Sequence, residues 1–569
     1  MSTVAALREG ARDARLAWGS TQSLAAGVVA FVALLPFLGL GFLHVEELAA
    51  WLYLALAASG LVLAVGFAGL PSLGQGAFMS IGALATSVLA GRAGWPPMAA
   101  LPVALAASVA AGLVTGRAVV RLPPVFVAVS TWLLTWLVAV VSAQFPSLSG
   151  GSQGYVVVSP LGPTAHYELA LGLTAAVVGL LSVFRASPAG IRVRAVRDSP
   201  AAAAVLGVPG DRLLYGAFVV SAAVAGIAGA LSVQLAGVSD PEAFGPFTSF
   251  RLLVAVLLGG ASYAAAGVVG IAALGVLSLV AHLVGAILGD VPQLEPILTA
   301  ALVLGVLGLG EDGLIPGLAA RRSRQMPRRV ADPPATEQRP AAMQARGLAK
   351  AYGGVHALDG FDLDVQPGEA VALVGANGSG KTTALRAAGG ALALDAGEVL
   401  LDGRPIGRGS TELARAGVVR TLQRTAVFGS LTALETVLVG AALHARHSGP
   451  LRSVTATPKA RAEAPRLRAA AMDALREVGL DDVADEPAEH LDGFQRRRLM
   501  LAAALAARPR LLLLDEPSAG AAPSDVPVLA HILRRVQASG VSVVLVEHNQ
   551  QLVRAVADRV LTMADGNVI

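Results

Sequence analysis

From residue 22 to about residue 312 the chain is a succession of long apolar runs broken by short polar stretches, and from about residue 321 it becomes charged. A helix crossing the roughly 30 Å hydrocarbon layer needs about 20 apolar residues. A single soluble core offers no place for so many runs of that length. Only 14% of the 569 residues are charged, against about 25% in an ordinary soluble domain. The shortage is confined to the first part. This division excludes both a soluble multi-domain enzyme and a disordered chain. It points to an all-α polytopic membrane domain over residues 1–320, a cytoplasmic linker over 321–342 and a soluble domain over 343–569. The net charge of +4 is too small to argue for nucleic acid. With no Cys there is neither disulfide nor thiolate chemistry.

Ten candidate spans begin near Thr21, Leu48, Ala77, Pro97, Pro124, Tyr167, Leu213, Phe250, Ala265 and Pro292. The third is short and is expected to be broken or re-entrant. Arg8, Arg12 and Arg15, then Arg117 and Arg121, then the Arg residues between 185 and 212, then those between 321 and 329, all fall on one side when there are ten spans. The positive-inside rule makes that side the cytoplasm.

Two Gly-rich clusters stand out from ordinary helix packing. Gly66 to Phe78 contains Pro71, Ser72 and Gln75 at membrane depth, and so predicts irregular backbone. Such backbone is tolerated only beside protein or a water-filled cavity, where transporters place a substrate path. Ser149 to Gly154 lies in an outer-face loop and reads as either a plain turn or a docking or gating element. On the cytoplasmic side, the loop 186–212 carries Arg192, Arg194 and Arg197 and a small-residue helix from Ala201 to Leu206. It reads either as a basic loop or as an element that docks on a partner, and an ATPase downstream favours docking.

The soluble domain carries that ATPase pattern. A buried strand, Ala370 to Val374, runs into Gly375-Ala376-Asn377-Gly378-Ser379-Gly380-Lys381-Thr382-Thr383, which is G-x-x-x-x-G-K-T between a strand and a helix. The loop N–H groups and the helix N-terminus cradle phosphate, Lys381 contacts the β- and γ-phosphates, and Thr382 contacts Mg²⁺. A second strand, Leu511 to Leu514, ends in two carboxylates. Asp515 suits the Mg²⁺ shell and Glu516 suits the base that orients attacking water. The expected fold is an α/β P-loop NTPase.

With both motifs present, the soluble domain resembles ABC transporter ATPase domains over essentially its full length. The resemblance assigns Gln423, in Arg420-Thr421-Leu422-Gln423, to the Q-loop, which senses Mg²⁺ and the membrane partner. It assigns His548 to the switch histidine at the γ-phosphate and Tyr352 to the aromatic that stacks on adenine. Within that superfamily the chain is similar to the branched-chain amino-acid uptake family. Val427-Phe428, Leu431-Thr432, Glu435 to Gly440 and a polar stretch at 445–468 look like LivG. Gly69 to Phe78, Leu258-Gly259-Gly260 and the loop from Gly190 to Gly207 look like LivM. The likeness implies a bacterial plasma-membrane importer of branched-chain or related small apolar or amide amino acids, using ATP and Mg²⁺. It also implies a second, LivH-like permease, a second, LivF-like ATPase and an extracytoplasmic binding protein. The family's ATPase relatives continue a few tens of residues past the position of Ile569.

One motif departs from the family. The signature, L-S-G-G-Q in the superfamily, reads Leu491-Asp492-Gly493-Phe494-Gln495. Asp492, Gly493 and Gln495 occupy the positions that would meet the opposite nucleotide. Two negative unit charges about 4 Å apart repel by roughly 4 kcal/mol at an effective dielectric near 20. An asymmetric dimer follows as the expectation: hydrolysis at the site holding Lys381, Glu516 and His548, and weak binding at the site that receives Asp492. A regulatory half-transporter that binds ATP without hydrolysis and an exporter are the alternative readings. The sequence does not identify substrate-contacting residues.

Overall fold

The computed structural model describes residues 44–240, 243–288, 294–309, 340–405, 409–421, 427–447, 449, 452 and 457–569. The chain divides into two units: residues 1–185 with 211–328, and residues 186–210 with 329–569. The cytoplasmic loop between two membrane helices therefore groups with the soluble domain.

The first unit is helical. Helix α1 (Val45–Leu61) passes into a π-helical turn, Val62–Phe67, and the backbone then runs without helix to α2 (Gln75–Thr86). A second π-turn, Ser87–Arg92, extends α2. The irregular stretch thus precedes the third expected span, which is itself a continuous helix. There follow α3 (Pro97–Val119), α4 (Pro124–Gln144) and α5 (Pro163–Ala186). Each begins at a proline, whose fixed φ suits the first helical position and whose missing N–H costs nothing there. Helices α6 (Pro188–Asp198) and α7 (Pro200–Val205) belong to the second unit. The first unit resumes with α8 (Gly210–Ala236), α9 (Pro246–Gly259), α10 (Ala266–Leu288) and α11 (Leu294–Leu309). Helices thus stand at nine of the ten expected positions; the span near Thr21 lies outside the described residues. Among the described residues, five helical runs are long and apolar enough to cross a membrane: Val45–Phe67, Pro97–Val119, Pro124–Gln144, Pro163–Ala186 and Gly210–Ala236.

Burial separates inner from outer helices. Of the apolar window of Val45–Phe67, 78% is buried, against 22% for Pro97–Val119 and for Pro124–Gln144. Val125, Phe126, Leu133 and Leu137 of α4 are exposed, as suits a lipid-facing surface. Where helices cross closely, glycine permits it. A Cβ on Gly82 of α2 would lie 2.0 Å from the Gly226 carbonyl oxygen of α8, and one on Gly229 would lie 2.0 Å from the Met79 oxygen. This is the small-residue packing that replaces hydrophobic drive between membrane helices.

The second unit contains two sheets. The first is antiparallel, in the order β2 (Val355–Val365), β1 (Met343–Tyr352), β4 (Ala396–Leu401), β5 (Arg404–Pro405). The other runs β10 (Asn567–Val568), β9 (Arg559–Ala564), β3 (Ala370–Gly375), β8 (Ser542–Val546), β7 (Leu511–Asp515), β6 (Val418–Arg420). Its strands are parallel except for β10. Every residue of β7 and β8 is buried, which is why these strands read as continuous apolar runs instead of alternating. Phe361, Leu373, Leu385, Leu513 and Val546 form the core between the sheets and α12 (Lys381–Ala388). The remaining helices are α13 (Ser410–Ala416), α14 (Ala433–Ala441), α15 (Pro458–Glu477), α16 (Gly493–Ala506), α17 (Asp525–Ala538) and α18 (Gln550–Val556).

The α2–α8 crossing leads to a prediction. Gly82→Val forces a side chain into the Gly226 backbone, and overpacking of this kind costs about 1–3 kcal/mol. The detergent-solubilised variant should melt several degrees lower than wild type; an unchanged melting temperature would contradict the close crossing.

Candidate functional site

The parallel ladders decide what meets at the carboxyl edge of the second sheet. Strand β8 pairs with β3 on one side and β7 on the other, so the ends of all three converge. The β3 end is the phosphate loop, the β7 end is Asp515-Glu516, and the β8 end is Glu547-His548.

In the loop, Gly380 has φ +94° and a Cβ there would lie 2.4 Å from the Ala357 oxygen, so glycine is required. Asn377 and Gly378 are exposed at the apex, while Ser379 is buried. Lys381 is buried at the head of α12, and its ammonium donates to the carbonyls of Gly375 (2.9 Å) and Ala376 (2.6 Å) and to Ser379 Oγ (3.3 Å). It is folded back along the loop that its charge would serve. Burial lowers its pKa, with the charge of Glu516 acting the other way. Thr382 and Thr383 follow in the first turn of the helix.

Asp515 is buried and its carboxylate accepts the Thr382 hydroxyl. Burial pushes its pKa up to about 6; Arg420 pulls it down and Glu516 adds to the rise. Its Oδ1 nevertheless has no hydrogen-bond partner among the described residues. A buried, unpartnered carboxylate oxygen beside a threonine hydroxyl is a donor set that a hard divalent cation takes readily, so these residues fit Mg²⁺. Glu516 has φ +48°, a left-handed conformation uncommon for a residue with a side chain. Its N–H is held by the Val546 carbonyl (2.9 Å), and its Oε1 lies 3.7 Å from His548 Nε2. Strain of this kind, over-determined by its surroundings, is common at functional sites.

Four expected residues lie apart from this cluster. Asp492, Gly493 and Gln495 open α16. Asp492 is its N-cap: the N–H groups of Phe494 and Gln495 both donate to its Oδ1 at 2.8 Å, and Gln495 Oε1 accepts the Asp492 N–H at 3.0 Å. The hydrogen bonds of Asp492 thus stay within its own first turn, as a capping box. The Arg498 guanidinium stacks on the Phe494 ring, 4.9 Å from its centroid. Tyr352 ends β1, half-exposed, with the Lys350 ammonium 5.8 Å from its ring centroid. Gln423 lies outside the described residues.

Sequence reasoning passed over Glu547. It is buried, and its carboxylate accepts the N–H of Ser518 at 2.8 Å, of Asn549 at 2.9 Å and of His548 at 2.6 Å. It thereby ties the loop after β7 to the backbone that carries His548. An acid directly after a fully apolar strand was the available signal. Arg420, read only as the flank of a motif, is buried, and the charge of Asp515 acts on it.

The loop 186–212 is also resolved. Arg194, 1% exposed, pairs with Glu435 at 2.8 Å, and Asp198 Oδ2 accepts both the N–H (2.8 Å) and the hydroxyl (2.6 Å) of Ser430. Gly207 packs on Leu443. This loop is docked on the soluble domain. In the first unit, the broken backbone after α1 is satisfied by side chains. Thr131 Oγ1 accepts the Leu73 N–H (2.9 Å), Thr135 donates to the Leu73 carbonyl (3.0 Å), and Ser249 Oγ accepts the Gly76 N–H (2.8 Å). The amide of the buried Gln75 donates to the Ala57 carbonyl at 2.8 Å. In the outer loop, a Cβ on Gly154 (φ +66°) would lie 2.1 Å from the Ser239 oxygen, which accounts for that glycine as a packed turn.

A family model described as the branched-chain amino acid transport system / permease component matches residues 45–307, and the ABC transporter model matches residues 358–519. The high-affinity branched-chain amino acid transport ATP-binding protein BraF of Pseudomonas aeruginosa is 34% identical over 226 residues, covering 39% of this chain and 88% of the relative. The chain belongs to the ABC transporter family, with a branched-chain-type permease and an ATP-binding protein in one polypeptide. The sulfate/thiosulfate import ATP-binding protein CysA of Bordetella parapertussis is 38% identical over 228 residues, covering 40% of this chain and 60% of that protein. A solved nucleotide-free ATP-binding cassette from an ABC transporter is 27% identical and covers 40% of this chain and 90% of that one, with a TM-score of 0.34. This family membership makes the soluble domain an ATP-hydrolysing cassette on the cytoplasmic side of a membrane-embedded permease.

The Glu547 contacts give a test. Glu547→Ala leaves three backbone N–H groups to find water, at about 1–3 kcal/mol for each one that stays buried. Cassette unfolding of the full chain, followed by limited proteolysis against urea, should shift to lower denaturant. A profile identical to wild type would deny Glu547 this tie.

Proposed function

We propose that this chain is one fused subunit of an ATP-driven importer for branched-chain or related small apolar or amide amino acids. The observation that carries the reading is the convergence of the β3, β7 and β8 ends, in a chain whose permease half matches the branched-chain model. Lys381 and the N–H groups from Gly375 to Thr383 hold the ATP phosphates. Lys381 would leave its loop carbonyls for the nucleotide, since a phosphate is a stronger acceptor than a carbonyl. Thr382 and Asp515, together with Gln423, hold Mg²⁺, which when bound neutralises charge that develops on the phosphates. Glu516 orients the attacking water, and His548, within 3.7 Å of it, contacts the γ-phosphate side. Tyr352 offers its open face to adenine. The docked loop carrying Arg194 transmits cassette closure to the permease.

The partners are a LivH-like permease, a LivF-like ATPase and an extracytoplasmic binding protein. The self-capped signature supports an asymmetric pairing. The N–H groups of Phe494 and Gln495 are already taken by Asp492, so the nucleotide across the dimer meets a helix end that is neutralised and negative. The same cap favours a second reading, a regulatory half-transporter that does not hydrolyse.

Vesicles reconstituted with the partner subunits separate the two. Glu516→Gln should lower ATPase activity by roughly two to four orders of magnitude while ATP binding persists, since an acid–base group is worth about that much. ATP-dependent uptake of labelled leucine should fall with it. Undiminished hydrolysis would sink the importer assignment of this site and leave the regulatory reading.

A further inference from the structure

The polar stretch at 442–470 contains six Lys and Arg residues and one acid, Glu463. The nucleotide chemistry uses none of them. In the structure His444, His447 and the first half of α15, with Ala506 and Arg508 at the end of α16, wall a cleft of about 460 Å³. That is within the range of about 300–1,000 Å³ usual for small-molecule sites. Its charged lining is Lys459, Glu463, Arg466 and Arg508, with His444 and His447 beside them. Glu463 is committed to the chain itself, since its two carboxylate oxygens accept the N–H groups of Arg446 (2.8 Å) and His447 (2.9 Å). Among the described residues, Lys459, Arg466 and Arg508 have no ion-pair partner. Lys459 also sits in the first turn of α15, where the helix dipole disfavours a cation. Three like charges that line one open cleft repel one another, and an anion relieves that repulsion.

We propose that this cleft is a second ligand site, separate from the nucleotide site, for a small phosphate-bearing polyanion. Lys459, Arg466 and Arg508 bind its charges, and His444 and His447 flank it. A phosphate fits better than a carboxylate because several oxygens must reach cations on three sides. The site adjoins the docked loop: the charge of Glu463 acts on the half-buried Arg192 of α6, opposed by Arg415. An anion in the cleft changes the field that Arg192 experiences, so occupancy bears on the loop that couples the cassette to the permease.

The test is calorimetric titration of the full-length purified protein with pyrophosphate. The Lys381→Ala background removes the phosphate loop as a competing site. The expected result is saturable binding in Lys381→Ala, weakened at least tenfold when Lys459→Glu and Arg466→Glu are added. Both residues are exposed, so the charge-reversed protein should fold, and its melting curve checks this. Absence of binding in Lys381→Ala up to about 10 mM pyrophosphate would overturn the site, as would equal affinity in the charge-reversed protein; the usual gain per charged contact makes a tenfold change the minimum expected. The ligand's source is read by repeating the titration in nanodiscs. Competition by phosphatidylglycerol but not phosphatidylcholine identifies a lipid headgroup, whereas undiminished binding in both identifies a soluble polyanion, and either result supports the site.

Discussion

Strand β8 lies between the phosphate-loop strand and the carboxylate strand, and the site depends on those two parallel ladders. Because Val546 aligns with Leu373 on one side and Asp515 on the other, the next residues of all three strands emerge together. A slip of one residue in either ladder would send Glu516 or His548 to the opposite face. Complete burial of β7 and β8 is what forbids such a slip, since it would drive the carboxylates into the apolar core. The apolar runs thus position the site as much as the motif residues do. Glu547 adds a second lock by gathering three backbone N–H groups from both emerging loops on one carboxylate.

The same economy of N–H groups explains the signature. A helix N-terminus has orphan donors that either a side chain or a ligand can satisfy. In α16 Asp492 satisfies two of them with a formal charge. A serine cap at that position is neutral and shares its N–H groups with an approaching phosphate. A carboxylate competes with the phosphate for the same donors and repels it as well. The cap of α16 and any phosphate at that helix end therefore compete for the same two N–H groups.

The glycines of the phosphate loop, Lys381, Asp515, Glu516 and His548 are legible in the amino-acid sequence because their chemistry dictates short spacings within single strand–loop–helix units. Helices stand at nine of the ten positions where apolar runs begin, though among the described residues five are long and apolar enough to cross a membrane. What the sequence hides depends on contacts between distant positions. Arg194 reads as one basic residue among several in a loop, and only the fold joins it to Glu435, 241 positions away. The segment at 68–74 reads as irregular and polar. That Thr131 and Thr135 satisfy its Leu73, and Ser249 the Gly76 N–H at the start of α2, requires helices α4 and α9 to be set against it. Asp492 is legible as a charge beside a phosphate site, but its capping role needs the helix to start where it does.

Glu435 shows how docking and helix formation become one event. It is the N3 residue of the capping box of α14, reaching back to the Thr432 N–H, and it also holds Arg194 of the docked loop. A buried ion pair contributes little net stability over an apolar contact, but removing one partner strands the other charge and is costly. The value of the Arg194–Glu435 pair is therefore in register. The loop has its seat on the cassette at the start of α14. Any rearrangement that shifts the start of α14 must either carry the loop with it or uncover a buried arginine. The second outcome is expensive, so the loop stays seated at the start of α14.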